Sequence, residues 1–487
     1  MENKILSIRK NAVLNIIRTL LSIIFPLVTF PYVTRVLGPV GLGKTQFASN
    51  FISYFVMFAG LGIGTYGIRE IAKKRDNKQE LSKVAKEIFI LNLIPTVISY
   101  LLLGITLFVV PKLNPYRNLL FVYSATILFS TIGIEWFYNG LEQYVYMTVR
   151  QLFFQILSFL SIFIFVRSNE DYLNYAILSV IANVGANVCN FIHSRKYVDW
   201  RVKGKLEIST HLKPVFILFG TRVAASLYVS LDTTLLGFIT DDSQIGYYES
   251  ANKISRVVVS LITSVTAVLL PRLSYYLKNN EKERFNELLR KSFYGMLMFA
   301  LPIAAGLFLL SGEVTVLISG KSFIPAIPTM RVLSALILVI PLSGFMGNQL
   351  FIPMGKEKIT LYAMLVGAFV NVSLSVWFIF LWGAFGAAFA SLLAEFSIVI
   401  VYFVFAYKWK LFLFEYKELF QFFISVVLMA TFIIVIQKFN FMNALVITLS
   451  VIFGAFIYGL QLFLFKNKTF MEFYKELKNR ITCKSND

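Results

Sequence analysis

Charged side chains stand inside long apolar runs of this 487-residue chain, among them Arg18, Glu135, Arg222, Asp232, Glu249, Lys253, Arg256, Arg331 and Glu395. A charge at the centre of a bilayer costs about 3 kcal/mol on insertion scales, so several on one chain need a reason. Glu395 and Arg256 fall near the middle of their runs, and Arg18, Arg222, Asp232 and Lys253 lie about two helical turns from an end. Glu135, Glu249 and Arg331 are nearer the ends, where they can reach the interface. Arg18, Arg222, Lys253 and Arg256 are the chemistry of anion binding: guanidinium and ammonium groups that complement phosphate or an acidic sugar. Asp232, Glu395 and Glu135 suit a coupling proton or Na⁺, because low dielectric disfavours a lone carboxylate charge. The competing reading is structural. Glu249 and Lys253 are spaced as an i, i+4 pair, and Asp232 is available to Arg256.

Helical spacing gathers these groups into stripes. Asn11, Asn15, Arg18, Ser22 and Thr29 share one face of the first run, and Glu249, Lys253, Arg256, Ser260 and Thr263 share one face of the eighth. Gln46, Asn50 and Ser53 make a matching polar face on the second. Such stripes face protein or water rather than lipid. They predict a cationic, water-filled cavity between two lobes, lined by Asn15, Gln46, Asn50, Ser53 and Glu249.

The elements that carry these stripes follow from composition. Hydrophobic residues make up 57% of the chain and charged residues 15%, and the mean hydropathy is +0.71. No soluble core hides that much apolar surface. Fourteen apolar runs of about 17 to 28 residues lie near 11–34, 45–68, 88–110, 118–140, 149–166, 172–194, 214–239, 246–271, 293–311, 328–352, 359–381, 384–407, 419–437 and 442–465. The expected fold is an all-α polytopic membrane protein. It has about fourteen transmembrane helices in two six-helix lobes plus an extra helix pair.

The net charge of +20 is topological. Alternate connections, starting from the N-terminus and counting Arg150 at the edge of its run with the connection before it, hold 34 of the 46 Lys and Arg; the opposite connections hold 7, and five lie within runs. The positive-inside rule places the N-terminus and C-terminus in the cytoplasm. Nucleic acid is not needed to explain the basic excess. Cys189 and Cys483 are far apart in sequence, which excludes a disulfide framework and a cysteine-rich zinc site. No cofactor and no metal are expected. His193 and His211 read as solvated loop histidines, and Tyr66, Tyr116, Trp136, Tyr247, Tyr248 and Trp409 as an interfacial aromatic belt.

Internal repetition divides the chain. Gly43, Gln46, Ala48, Asn50 and Ser53 recur at an offset of 203 as Gly246, Glu249, Ala251, Lys253 and Arg256, and Arg18 and Arg222 are 204 apart. The expected division is an N-terminal lobe over 1–200, a C-terminal lobe over 201–410, an appended helix pair over 411–465 and a cytoplasmic basic tail over 466–487, the tail forming a short interfacial helix. Pro26, Pro31, Pro95, Pro302 and Pro341 bend spans, which suits rocking lobes. Gly38-Pro39-Val40-Gly41-Leu42-Gly43-Lys44-Thr45 satisfies the P-loop pattern, but between two membrane spans it reads as a tight turn, with no nucleotide.

The segment Phe30-Pro31-Tyr32-Val33-Thr34-Arg35-Val36-Leu37-Gly38-Pro39, followed by Gly41-Leu42-Gly43, resembles the N-terminal region of Wzx-type polysaccharide exporters. Gly62-Ile63-Gly64-Thr65-Tyr66-Gly67-Ile68-Arg69-Glu70 and Glu135-Trp136-Phe137-Tyr138-Asn139-Gly140-Leu141-Glu142 are similar to further motifs of that family. These exporters form the polysaccharide transport family of the multidrug/oligosaccharidyl-lipid/polysaccharide exporter superfamily. The resemblance implies a multi-pass protein of the bacterial plasma (inner) membrane that flips an undecaprenyl-pyrophosphate-linked oligosaccharide for O-antigen, capsule or another surface polysaccharide. Its partners would be the lipid-linked oligosaccharide, membrane lipids, a polysaccharide polymerase and chain-length machinery, with H⁺ or Na⁺ coupling left open. Two rivals remain. A cation-coupled multidrug antiporter of the same superfamily would want twelve spans and an acidic pocket. A membrane-embedded polymerase would want a large outer loop with catalytic groups, and the longest outer loop, 311–327, offers only Glu313, Lys321 and small residues. The chain therefore reads as a transporter and not an enzyme.

Overall fold

The computed structural model describes the backbone of residues 8–202, 206–267, 269–409, 415–439 and 441–483, and the side chains of these residues except 8–27, 221–222, 224–230, 265–267, 477 and 480–483. The described residues are helical, with no strand among them. Among the described residues, ten helical stretches are long and apolar enough to cross a membrane by length and composition. The protein is a multi-pass helical membrane protein.

Contacts group the chain into two compact units, 1–246 and 247–487. The first contains α1 (Ile8–Gly60), α2 (Ile63–Lys74), α3 (Lys78–Val109), α4 (Arg117–Ile132), α5 (Glu135–Gly140), α6 (Tyr144–Phe165), α7 (Tyr172–Val180), α8 (Ala186–Ser194), α9 (Ile208–Ile239) and the first residues of α10 (Asp242–Ala267). At 53 residues α1 would run about 80 Å if straight, far more than the ~30 Å of hydrocarbon. It breaks at Gly38, whose φ of 65° and ψ of −177° lie outside the helical region and in the left-handed half of the map that glycine tolerates. Pro39 then opens the second segment, where its missing N–H costs nothing. The P-loop pattern is thus a helix break followed by helix, and the strand a nucleotide-binding loop needs is not there.

Loops cap these helices locally. Asn77 starts α3 by accepting the Gln79 and Glu80 amides at 3.0 and 3.3 Å. At the end of the unit that carries the basic connections, Tyr66, Ile71, Leu81, Ile88, Trp136 and Val215 belong to one buried cluster. The sequence repeat and the contacts divide the chain differently. Helix α9 opens the second half of the repeat, yet it packs on α1, α2 and α3 within the first unit.

The second unit carries the rest of α10, α11 (Leu270–Lys278), α12 (Lys282–Leu309), α13 (Ser311–Ser319), α14 (Ile327–Gly344), α15 (Glu357–Lys408), α16 (Tyr416–Gln437), α17 (Asn443–Leu464) and α18 (Lys468–Cys483). Helix α15 repeats the device of α1: 52 residues broken at Gly383, with φ of 55°. The pair α16–α17 packs on α12 and α13, and it is fixed at both ends. Gln437 Nε2 donates to the Leu309 carbonyl at 2.9 Å and to Glu313 at 3.0 Å. At the other end Arg290 holds Glu418 at 3.3 Å and Glu472 of α18 at 2.9 Å, and the Thr469 hydroxyl donates to Glu418 at 2.6 Å. The described part of the basic tail is helical, and ion pairs from Glu472 tie it to Arg290 and Lys291 of α12.

Candidate functional site

Helix α10 carries the basic stripe. Glu249, Lys253 and Arg256 follow one another at one-turn spacing, Glu249 and Lys253 half-buried and in electrostatic contact, Arg256 exposed. Arg256 Nε donates to Asn252 Oδ1 at 3.0 Å, which orients the guanidinium along its own helix. Beside Asn252, Ser255, Arg256 and Ser391 lies a crevice of about 20 Å³, room for one water and no more. Any larger anion must meet the outward side of Arg256. Arg331 Nε donates to Ser311 Oγ at 3.2 Å, near the end of its run, where it serves as a link between α13 and α14.

The side chains of Arg18, Arg222 and Asn15 lie outside the described residues. Gln46, Asn50 and Ser53 are half-buried on the second segment of α1; Ser53 turns back to the Asn50 carbonyl at 2.6 Å. The neighbouring face of that segment meets α9, where Tyr54 bonds Thr234 at 2.9 Å and Phe47 fills the space a Cβ on Gly237 would take.

The three candidate coupling carboxylates have different surroundings. Asp232 is buried on α9, within electrostatic reach of Tyr54. Glu395 is buried on α15 and accepts from Ser343 Oγ at 3.0 Å. Glu135 is half-buried and 3.8 Å from Arg150, a buried cation at the start of α6 whose guanidinium also lies over the Tyr146 ring. Arg150 was legible only as one basic residue at the edge of an apolar run.

Two sequence expectations are corrected. His211 is not a solvated loop residue: it is buried on α9, with Nε2 3.0 Å from Glu87 and Nδ1 2.6 Å from the Tyr66 hydroxyl. Helix α9 starts six residues before its apolar run does, and that extra length carries the histidine into the core. His193 ends α8 stacked on Tyr146, ring centroids 4.0 Å apart. Likewise Tyr66, Tyr116, Trp136 and Tyr248 are buried rather than spread along an interfacial belt, and Tyr116 bonds Asp242.

One contact joins positions related by the repeat. A Cβ on Gly43 would collide with the Asp242 carbonyl and come within 3.2 Å of the Gly246 amide, and a Cβ on Gly246 would collide with the Pro39 carbonyl. The first turns of the second segment of α1 and of α10 therefore touch backbone to backbone, through glycines 203 positions apart.

In the second unit, α12, α13, α16 and α17 border an apolar cleft of about 560 Å³. Met298, Pro302, Gly306, Met429, Ile433 and Ala455 are among its walls, and Phe470 and Phe473 of α18 close one end. It offers no catalytic group, only space for an alkyl chain.

Residues 8–277 match the family model described as polysaccharide biosynthesis protein. The chain belongs to that family. An Escherichia coli (strain K12) protein named as a candidate O-antigen transporter is 26% identical over 363 residues, 72% of this chain and 85% of its own length. Among solved structures, the lipid II flippase MurJ in an inward closed conformation superposes with a TM-score of 0.73 at 15% identity, covering 96% of this chain and 99% of that one. An inward-facing multidrug resistance transporter of the MATE family gives 0.61 at 18% identity over 79% of this chain and 93% of its own. The fold is shared with these transporters. The Wzx-type resemblance of the sequence stands, and the relatives and solved structures it matches are named as transporters and flippases.

Proposed function

We propose that this protein flips an undecaprenyl-pyrophosphate-linked oligosaccharide repeat unit from the inner to the outer leaflet of the bacterial plasma membrane. The product feeds surface polysaccharide synthesis, where a polymerase and chain-length machinery consume it. Family membership carries the reading, together with the kinship of the E. coli protein named for O-antigen transport. Charge asymmetry supports about fourteen spans with both termini in the cytoplasm, the side on which lipid-linked sugars are built.

The parts of the substrate find matching chemistry. Arg18, Arg222, Lys253 and Arg256 bind the pyrophosphate or acidic sugars, and Arg256 offers an exposed guanidinium for it. Asn15, Gln46, Asn50, Ser53 and Glu249 hydrogen-bond the sugars. The cleft of about 560 Å³ between α12 and the α16–α17 pair gives the isoprenoid tail an apolar path. The two sequence halves alternate access by rocking. A proton or Na⁺ held at Asp232, Glu395 or Glu135 drives the exchange.

Arg256→Ala and Arg222→Ala, tested by complementation of an export-deficient strain, should each abolish surface polysaccharide while the protein still inserts. Export at the wild-type level by both variants would overturn the cationic headgroup site. In proteoliposomes, flipping that ignores an imposed pH or Na⁺ gradient would remove ion coupling.

A further inference from the structure

A buried polar unit joins three helices at the end of the first unit that carries the basic connections. Glu87 of α3, His211 of α9 and Tyr66 of α2 are 3%, 7% and 5% exposed. Glu87 Oε2 lies 3.0 Å from His211 Nε2, its Oε1 accepts the Glu207 amide at 2.8 Å, and Lys83 Nζ stands 3.9 Å from Oε1. On the other side of the imidazole the Tyr66 hydroxyl is 2.6 Å from Nδ1. Arg69 lies over the Tyr66 ring at 5.2 Å, and Glu70 is bonded to Arg69 and Lys73, each at 3.0 Å. Tyr66 itself belongs to an apolar cluster with Ile63, Ile71, Leu81 and Val215.

These bonds fix where a proton goes. With Glu87 as the carboxylate, which only accepts, Nε2 carries a hydrogen and donates it to Glu87. Nδ1 then accepts from the Tyr66 hydroxyl. Adding one proton from water to Nδ1 converts imidazole to imidazolium, and the tyrosine turns from donor to acceptor, its own hydrogen rotating away. The balance is one proton taken up and one unit of positive charge gained, so the histidine–glutamate pair passes from net −1 to neutral. No other side chain has to move, and a neutral ion pair is the form that burial tolerates.

The position gives that proton leverage. By the repeat α9 opens the second half of the chain, yet its first turns are tied to α2 and α3 of the first half through this histidine. We propose that His211, Glu87 and Tyr66 form a proton-binding site through which proton uptake and release control the hold of α2 and α3 on α9 during transport. The inference deepens the ion-coupled flippase reading and rests on it for its role, but the site itself can be tested alone. It is separate from Asp232, Glu395 and Glu135, and histidine is the side chain whose charge changes most readily near neutral pH.

The chain has two histidines, so His193→Gln leaves His211 as its only imidazole. In ¹⁵N-histidine-labelled full-length protein in lipid nanodiscs, the His211 signals should pass from imidazolium to neutral imidazole between about pH 5 and 8. Glu87→Gln and Tyr66→Phe should each displace the midpoint. An imidazole locked in one protonation state throughout would overturn the site. In proteoliposomes carrying a lipid-linked oligosaccharide, an acid-outside gradient should accelerate flipping by about fivefold or more, the low end of coupling between sites, in the wild type but not in His211→Gln or Glu87→Gln. Equal acceleration in these variants would overturn the coupling role and leave the flippase reading intact. No flipping by the wild type would overturn the flippase reading, while the histidine titration would still decide the site.

Discussion

Two buried charge clusters sit beside basic connections, and they are built from different cations. In the first unit, His211 meets Glu87 and Tyr66 among α2, α3 and α9. In the second, Arg290 of α12 meets Glu418 of α16 and Glu472 of α18, with the Thr469 hydroxyl on Glu418. Each cluster ties the start of one helix to helices distant in sequence. The guanidinium stays charged at any physiological pH, so the second cluster is a permanent clamp that holds the appended pair and the tail helix. On our proposal the first cluster instead takes up and gives back a proton, and is released and remade with it. The same structural task, joining helices distant in sequence, then falls to a fixed cation in one unit and to an imidazole in the other.

The largest effect should come from breaking the clamp. Arg290→Ala leaves Glu418 buried without its cation, and removing one partner of a buried pair costs about 3 kcal/mol or more. The unfolding midpoint in detergent should fall, and by less at pH 5.5 than at pH 7.5, because a buried carboxylate that has lost its cation can shed its charge by taking a proton; an unchanged midpoint at pH 7.5 would remove the clamp. Next, Thr469→Val removes a hydroxyl from the buried Glu418 and should cost about 1 to 3 kcal/mol near neutral pH, the range for hydrogen bonds to charged groups. Smallest is Tyr66→Phe, about 1 kcal/mol for one neutral hydrogen bond, but with a loss that differs between the two pH values because the partner is the imidazole nitrogen. A pH-independent Tyr66→Phe would make the first cluster a clamp like the second. Gly43→Ala tests the repeat-related contact separately: it should prevent the close approach to Asp242 and lower export while insertion persists.

Much of the architecture was legible before any coordinates. The apolar runs marked the helices, because a span must satisfy its own backbone in lipid and must be apolar over about 20 residues to stay there. The motifs around Gly38, Gly62 and Glu135 carried the family. The repeat paired Gly43 with Gly246, and the two meet. What could not be read was the fate of helix ends. Tyr66, Trp136 and His211 are residue types that serve equally at an interface or in a core, and all three stand near the boundary of an apolar run. Whether such a residue is wet depends on which other helices end beside it. For His211 the answer lay in α9 beginning early and in a glutamate 124 positions away.

The sequence by itself determined that this is a basic, many-helix membrane protein of the polysaccharide biosynthesis protein family, with a glycine-rich turn around Gly38 and basic residues gathered in alternate connections. Those properties are local or additive: hydropathy, backbone freedom at glycine, and charge counted loop by loop. Tertiary structure alone decided that Glu87 and His211 share a buried hydrogen bond, that Arg290 holds the appended pair, and that the pair encloses an apolar cleft with α12. Those depend on distances of about 3 Å between residues more than a hundred positions apart, which no periodicity along the chain encodes.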